Sequence, residues 1–172
     1  MTPPRRIGVI GGVMVLCLTG LAADAYGQMY ISTGRDTLRG LPGVEVLVEG
    51  LQPELERSGL TGAAIRADVE QRLRARGISV YASQADNPSP AKPYLYVHIN
   101  ALPLQRPEGY AIAVQLQLRQ TLRSLVTSSN IVNAMTWDTH NVLGVPTPNL
   151  QSVQAEVRDY VDRFIKDWLA VH

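Results

Sequence analysis

The stretch 94-YLYVHINALPLQRPEGYAIAVQLQLRQTLR-123 carries the clearest structural signal in the chain. From Tyr110 to Arg123 the residues alternate strictly. Ile112, Val114, Leu116 and Leu118 go to one side, and Gln115, Gln117, Arg119 and Thr121 go to the other. Successive side chains of a strand point to opposite faces, so this pattern predicts an antiparallel strand with one apolar and one wet face. Tyr94 to Leu102 reads as its partner, with a Pro- and Gly-containing turn over Pro103 to Gly109. If Leu95, Val97 and Ile99 take the apolar side, then Tyr94, Tyr96, His98 and Asn100 share the wet face with Gln115 and Gln117.

Asn130 to Asp138 follows Thr127-Ser128-Ser129 and reads as a third antiparallel strand. Beyond it, Leu150, Val153, Val157, Val161, Phe164 and Trp168 recur at steps of three and four, which predicts a terminal amphipathic helix. Thr147 or Asn149 would cap it and Pro148 suits its first turn. The register of Trp168 with Phe164 and Val161 assigns the indole to the core. Towards the N-terminus, the loop from Ala85 to Pro93 is rich in Pro, Asn and Ser. Before it, Ile78 to Ser83 reads as a strand.

A helix with both ends marked precedes that strand. Thr61 suits the N-cap, Ile65, Val69 and Leu73 form the buried stripe, and Gly77 stands at the left-handed C-terminal position. Leu73 and Ile78 then touch in a Schellman ending. Arg66, Glu70, Arg72 and Arg74 read as a solvated face, and Pro53 to Ser58 as a loose helical turn ahead of it. A first strand is expected over Val44 to Val48. One helix between two strands makes them parallel if they share a sheet. The expected fold is α+β, a two-layer sandwich in which a mixed sheet of about five strands carries two helices on one face, in the order β-α-β-β-β-α. The single domain would span 43–172, with 26–42 a flexible lead-in.

Residues 1–25 read as an export signal. Arg5 and Arg6 form a positive start, Ile7 to Ala22 an apolar run, and Ala23-Asp24-Ala25 a small-residue cleavage site after Ala25. The run falls short of the ~20 apolar residues of a spanning helix, so no stable membrane span is expected after cleavage. Cys17 lies in mid-run without the small residue before it that lipidation requires. It is the one cysteine of the chain and would leave with the signal, which excludes disulfide and thiol chemistry from the exported domain. The expected location is periplasmic or secreted.

The whole chain has 172 residues, 16 Lys+Arg against 15 Asp+Glu, and 45% hydrophobic residues. That balance, with no basic run, argues against nucleic acid as a partner. Export, size and element order together resemble the small periplasmic domains related to the anticodon-binding fold, a family that includes the TolB N-terminal domain and the lipopolysaccharide-assembly lipoprotein. The segments Gly59-Leu60-Thr61, Val69-Glu70-Gln71-Arg72-Leu73-Arg74, Gly77-Ile78 and Tyr94-Leu95-Tyr96-Val97 are also similar to those of uncharacterised exported bacterial proteins. The resemblance implies a fold and an envelope location and carries over no functional residue. The chain departs from the lipoproteins in lacking an acylated cysteine.

Chemistry-bearing patterns are sparse. Asp138 and His140, two apart on an extended chain, project to one side, and with His98 from a neighbouring strand they could form a general base or half a metal site. No HExxH, CxxC, Gly-x-Ser-x-Gly or phosphate loop accompanies them. The expectation is therefore no enzyme, with no catalytic residue, cofactor or metal. The candidate interaction surface is Tyr94, Tyr96, His98, Gln115 and Gln117, an uncharged aromatic-and-amide face suited to a protein partner in the cell envelope or to self-association. Two alternatives stand beside it: a metal-dependent or hydrolytic envelope enzyme centred on Asp138 and His140, and a small-ligand binder with a pocket between sheet and helices.

Overall fold

The structure, a computed structural model, describes residues 33–105, 109–124, 131–146 and 151–172. The export signal expected over 1–25, the lead-in from 26 to 32, the residues between Thr127 and Asn130 and the expected caps Thr147 and Asn149 lie outside the described residues. The elements are α1 (Thr33–Asp36), β1 (Val44–Val48), α2 (Pro53–Arg57), α3 (Gly62–Ala75), β2 (Val80–Tyr81), β3 (Tyr94–Leu104), β4 (Gly109–Arg123), β5 (Ile131–Val145) and α4 (Gln151–Leu169). One five-stranded mixed sheet runs β2-β1-β3-β4-β5. β1 is parallel to both β2 and β3, while β3, β4 and β5 form an antiparallel meander. The fold is α+β, as the alternation in β4 and the stripe in α4 predict. It has one more strand after the helices than the order β-α-β-β-β-α allows.

The helix ends follow from local chemistry. Thr61 holds an extended backbone, and its hydroxyl accepts the Ala64 N–H at 3.2 Å, satisfying one of the donors a helix start leaves free. At the other end Gly77 takes φ +78, the Ile78 N–H bonds the Leu73 carbonyl at 3.0 Å and the Gly77 N–H bonds that of Arg74 at 3.0 Å. These are the two hydrogen bonds of a Schellman ending. Ile78 is buried there, and β2 spans only two residues rather than the strand expected from Ile78 to Ser83.

Apolar side chains of β1, β3 and β4 meet the stripes of α3 and α4 in one core, built on Val46, Leu95, Val97, Leu116, Ile65, Leu73, Val161 and Phe164. Trp168 is buried in it, in agreement with its register. Ion pairs cross the rim between the two helices, with Arg158 on Asp68 at 2.7 Å and Arg72 near Asp162 at 3.4 Å.

Two boundaries need correction. The flexible lead-in expected over 26–42 does not hold for its second half: α1 packs against β5, and Leu38 is fully buried. One turn of helix carries no periodicity to read, and its place is set by contacts with a strand about a hundred residues later. The third antiparallel strand does not end at Asp138 but continues to Val145. A β-bulge near Thr136 pairs Leu118 with Trp137 and Arg119 with Met135, so one residue is left over. That extra residue shifts the inward positions from even to odd numbers, which hides the strand's length from any search for strict alternation.

Candidate functional site: the open sheet face

Helices α3 and α4 lie on one side of the sheet. The other side carries the even-numbered residues of β3 and the odd-numbered residues of β4, and none of these belongs to the core. The register stacks them in rows. Tyr94 stands opposite Arg119, Tyr96 opposite Gln117, and His98 opposite Gln115. Continuing across β4, Gln117 faces Asp138 and Gln115 faces His140. All five residues of the expected surface therefore share one face.

These side chains hold one another. The Tyr96 and His98 rings are nearly parallel, 9° apart in plane with centroids 6.3 Å apart, and Tyr94 meets Tyr96 edge-on at 6.4 Å. The Arg119 guanidinium lies 5.0 Å from the centre of the Tyr96 ring, a cation–π contact. Arg119 Nε donates to Gln117 Oε1 at 3.1 Å, and Gln117 Nε2 donates to Gln115 Oε1 at 3.3 Å. Tyr94 reaches across β4 to donate its hydroxyl to Asn133 Oδ1 at 3.2 Å.

Glu49, just past the end of β1, was not among the expected residues and completes the set. Its Oε2 accepts the Tyr96 hydroxyl and also meets His98 Nδ1. The Tyr96 hydrogen bond, then that of His98, lower the Glu49 carboxyl below its usual range, while the same carboxylate raises the Tyr96 phenol. Glu49 continues the odd-numbered side of β1. The parallel pairing of Val48 with Val97 is what brings it beside His98, and no local pattern encodes that pairing.

Asp138 and His140 are mid-strand, not at a strand end, and bond each other at 2.9 Å between Oδ2 and Nδ1. His98 does not join them. Gln115 on β4 stands between the two histidines, which separates their strands by about 10 Å. Among the described residues no three His, Cys, Asp or Glu side chains converge as metal ligands would. Clefts lie at the sheet's margins: one of about 320 Å³ between α1, β5 and α4 is lined by Arg35, Trp137 and Asp167, and one of about 420 Å³ beside β1 is lined by Leu47, Glu49 and Arg66.

Glu45 is the anomaly of this face. It stands between Tyr81 and Tyr94 of the adjacent strands, is only 7% exposed, and its Oε2 has no hydrogen-bond partner. Burial raises its carboxyl above the usual range, against the pull of Arg66 and with a push from Asp86. A raised pKa means its stabilising form is fully present below the unfolded value and is lost as pH rises through the folded one. Glu45→Gln is therefore expected to stabilise the domain by about 1 kcal/mol at pH 7. The gain should shrink as pH falls through the raised folded value and be gone below pH ~4.5. Urea titrations at both pH values check this, and a loss of stability at pH 7 would contradict it.

No helix among the described residues is long and apolar enough to cross a membrane. A scan against protein-family models and a search of curated proteins each return no match.

Proposed function

We propose that this chain is a non-enzymatic protein of the cell envelope that works through protein–protein contacts made by the open sheet face. The observation that carries the reading is the Tyr94, Tyr96, His98, Gln115 and Gln117 cluster. Its side chains are half-buried against one another on a face that none of the described helices covers, so little side-chain entropy remains to be lost on binding. Exposed apolar residues flank it on the same face, with Leu102 at 65% and Val142 at 68% exposure. Tyr and Arg over an amide floor is the composition of protein interfaces rather than of a phosphate or nucleic-acid site. The envelope location rests on the export signal read at 1–25.

The test is in-cell photo-crosslinking from position 115. We expect one discrete partner protein to be captured, and the double variant Tyr94→Ala/Tyr96→Ala to weaken that contact about thirtyfold with little change in Tm. A crosslinker at Asp162, on the exposed side of α4, should capture nothing comparable. Capture unchanged by loss of both tyrosines would refute the reading. The Asp138–His140 hydrogen bond is the observation favouring a metal-dependent or hydrolytic enzyme instead, and stoichiometric metal in purified protein would support that second reading.

A further inference from the structure

β5 is an edge strand of the sheet, and such a row of unpaired backbone groups is usually guarded by Lys, Pro or a covering segment. Ile131–Val145 contains no Lys, Arg or Pro. Its N-terminal half does have a guard: the Thr136 carbonyl accepts the Thr37 hydroxyl at 3.2 Å, and Gly34 of α1 backs onto Trp137. At the other end the Val142 N–H donates to the side chain of its neighbour Asn141 at 2.9 Å. That N–H therefore points away from β4, and so do the backbone groups of His140 and Asp138 at the same parity. Among the described residues, what remains open is the short run from Asp138 to His140, stopped by the bulge and α1 at Trp137 and by the Asn141 cap at the other end.

We infer that this run pairs with the same run of a second copy, antiparallel, about a two-fold axis at Thr139. Thr139 is the centre of the open run, so this register uses it fully and leaves both stops in place. It is also the register that the charges favour. Asp138 of each copy stands opposite His140 of the other on the open face, and each Asp138 already bonds its own His140, so acid and imidazole alternate around the axis. A one-residue move of the axis to His140 would set the two imidazoles against each other. On the helix side Thr139 meets Thr139, a favourable cross-strand pair. Arg163, which donates to the Thr139 hydroxyl at 3.4 Å, is exposed and lies over the Tyr160 ring 5.5 Å from its centre, so it keeps a second partner when the pair forms. With a net charge of +1 over the whole chain, nothing long-range keeps two copies apart. The product is a ten-stranded sheet with both aromatic faces on one side.

This extends the proposed function from the face to the edge, and the two fail separately. Sedimentation velocity of the purified protein up to about 1 mM should show a concentration-dependent dimer. His140→Glu, which sets like charges opposite each other twice, should weaken it about tenfold. Adding Asp138→Lys to that variant restores opposite charges and should recover the dimer. Tyr94→Ala/Tyr96→Ala should leave it intact. The register is read by oxidation with Cys17→Ser: Thr139→Cys should form a disulfide-linked dimer, because a non-hydrogen-bonded pair on the axis sits about 4.5 Å apart at Cα, and Val142→Cys should not. A protein monomeric up to ~1 mM, or crosslinking at 142 in preference to 139, overturns the inference. So does a dimer unaffected by His140→Glu.

Discussion

Phe164→Ala is expected to cost about 3–5 kcal/mol of folding free energy. That is a large part of the 5–15 kcal/mol that holds a typical domain together. Phe164 is fully buried on the sheet side of α4. Its ring meets Trp137 of β5 edge-on at 5.2 Å and Trp168 one turn on at 5.7 Å. Truncation removes the transfer energy of the ring, leaves a cavity that two large indoles cannot readily fill, and breaks both aromatic contacts. The damage should extend beyond α4. Trp137 donates its indole N–H to Asp167 at 3.0 Å, and Asp167 also holds Arg35 at 2.8 Å, so the same helix end ties β5 and α1 together. Urea unfolding followed by tryptophan fluorescence and far-UV circular dichroism measures the loss. Leu169→Ala, at a residue 51% exposed on the same helix, should change stability by no more than about 0.5 kcal/mol. Equal effects at the two positions would mean that α4 does not dock through Phe164.

The second large effect is expected from a single methyl group. Gly43 opens β1 where the Val44 N–H bonds the Ser79 carbonyl at 3.0 Å, at the start of the parallel pairing with β2. A Cβ on Gly43 would overlap that carbonyl oxygen and lie 2.7 Å from Ser79 Cβ and 2.9 Å from Tyr81 Cε2. Backbone is not a yielding neighbour. Gly43→Ala must push β2 off β1, at a cost of about 2–3 kcal/mol, with the loss concentrated in amide exchange protection at Val44 and Val80. Gly50→Ala is the matched control, since a Cβ there meets nothing within 4 Å. It should be neutral within about 0.5 kcal/mol. If the two glycines tolerate alanine equally well, β1 and β2 are not packed as described.

The parts of this fold that were legible in the sequence are those whose physical cause is local. The β4 alternation forces one wet face whatever its partners are. Thr61 and Gly77 mark the ends of α3 because a helix start needs acceptors for free N–H groups and a helix end needs a left-handed residue, both supplied within a few positions. The stripe from Val153 to Trp168 is long enough to show its period. The features that could not be read depend on residues far apart in the chain. Leu38 is buried only because its segment packs against β5, about a hundred residues later. The bulge at Thr136 removes the period that would have marked β5 to Val145. Glu49 reaches His98 through a parallel register set by β1 lying between β2 and β3.

The same division runs through the candidate surface. Period two alone puts Tyr94, Tyr96 and His98 on one side, and likewise Gln115 and Gln117, because side chains of one strand alternate. The same period makes Asp138 and His140 project together. It took the packed sheet to show that Gln115 separates His98 from His140, that Glu49 grips Tyr96 and His98, that Glu45 is buried on the strand between Tyr81 and Tyr94, and that β5 is an edge of the described sheet with a short open run. Each of these is a relation between strands. Periodicity specifies which way a side chain points, whereas strand order and register, set by how the apolar faces of the whole chain pack, specify what it meets.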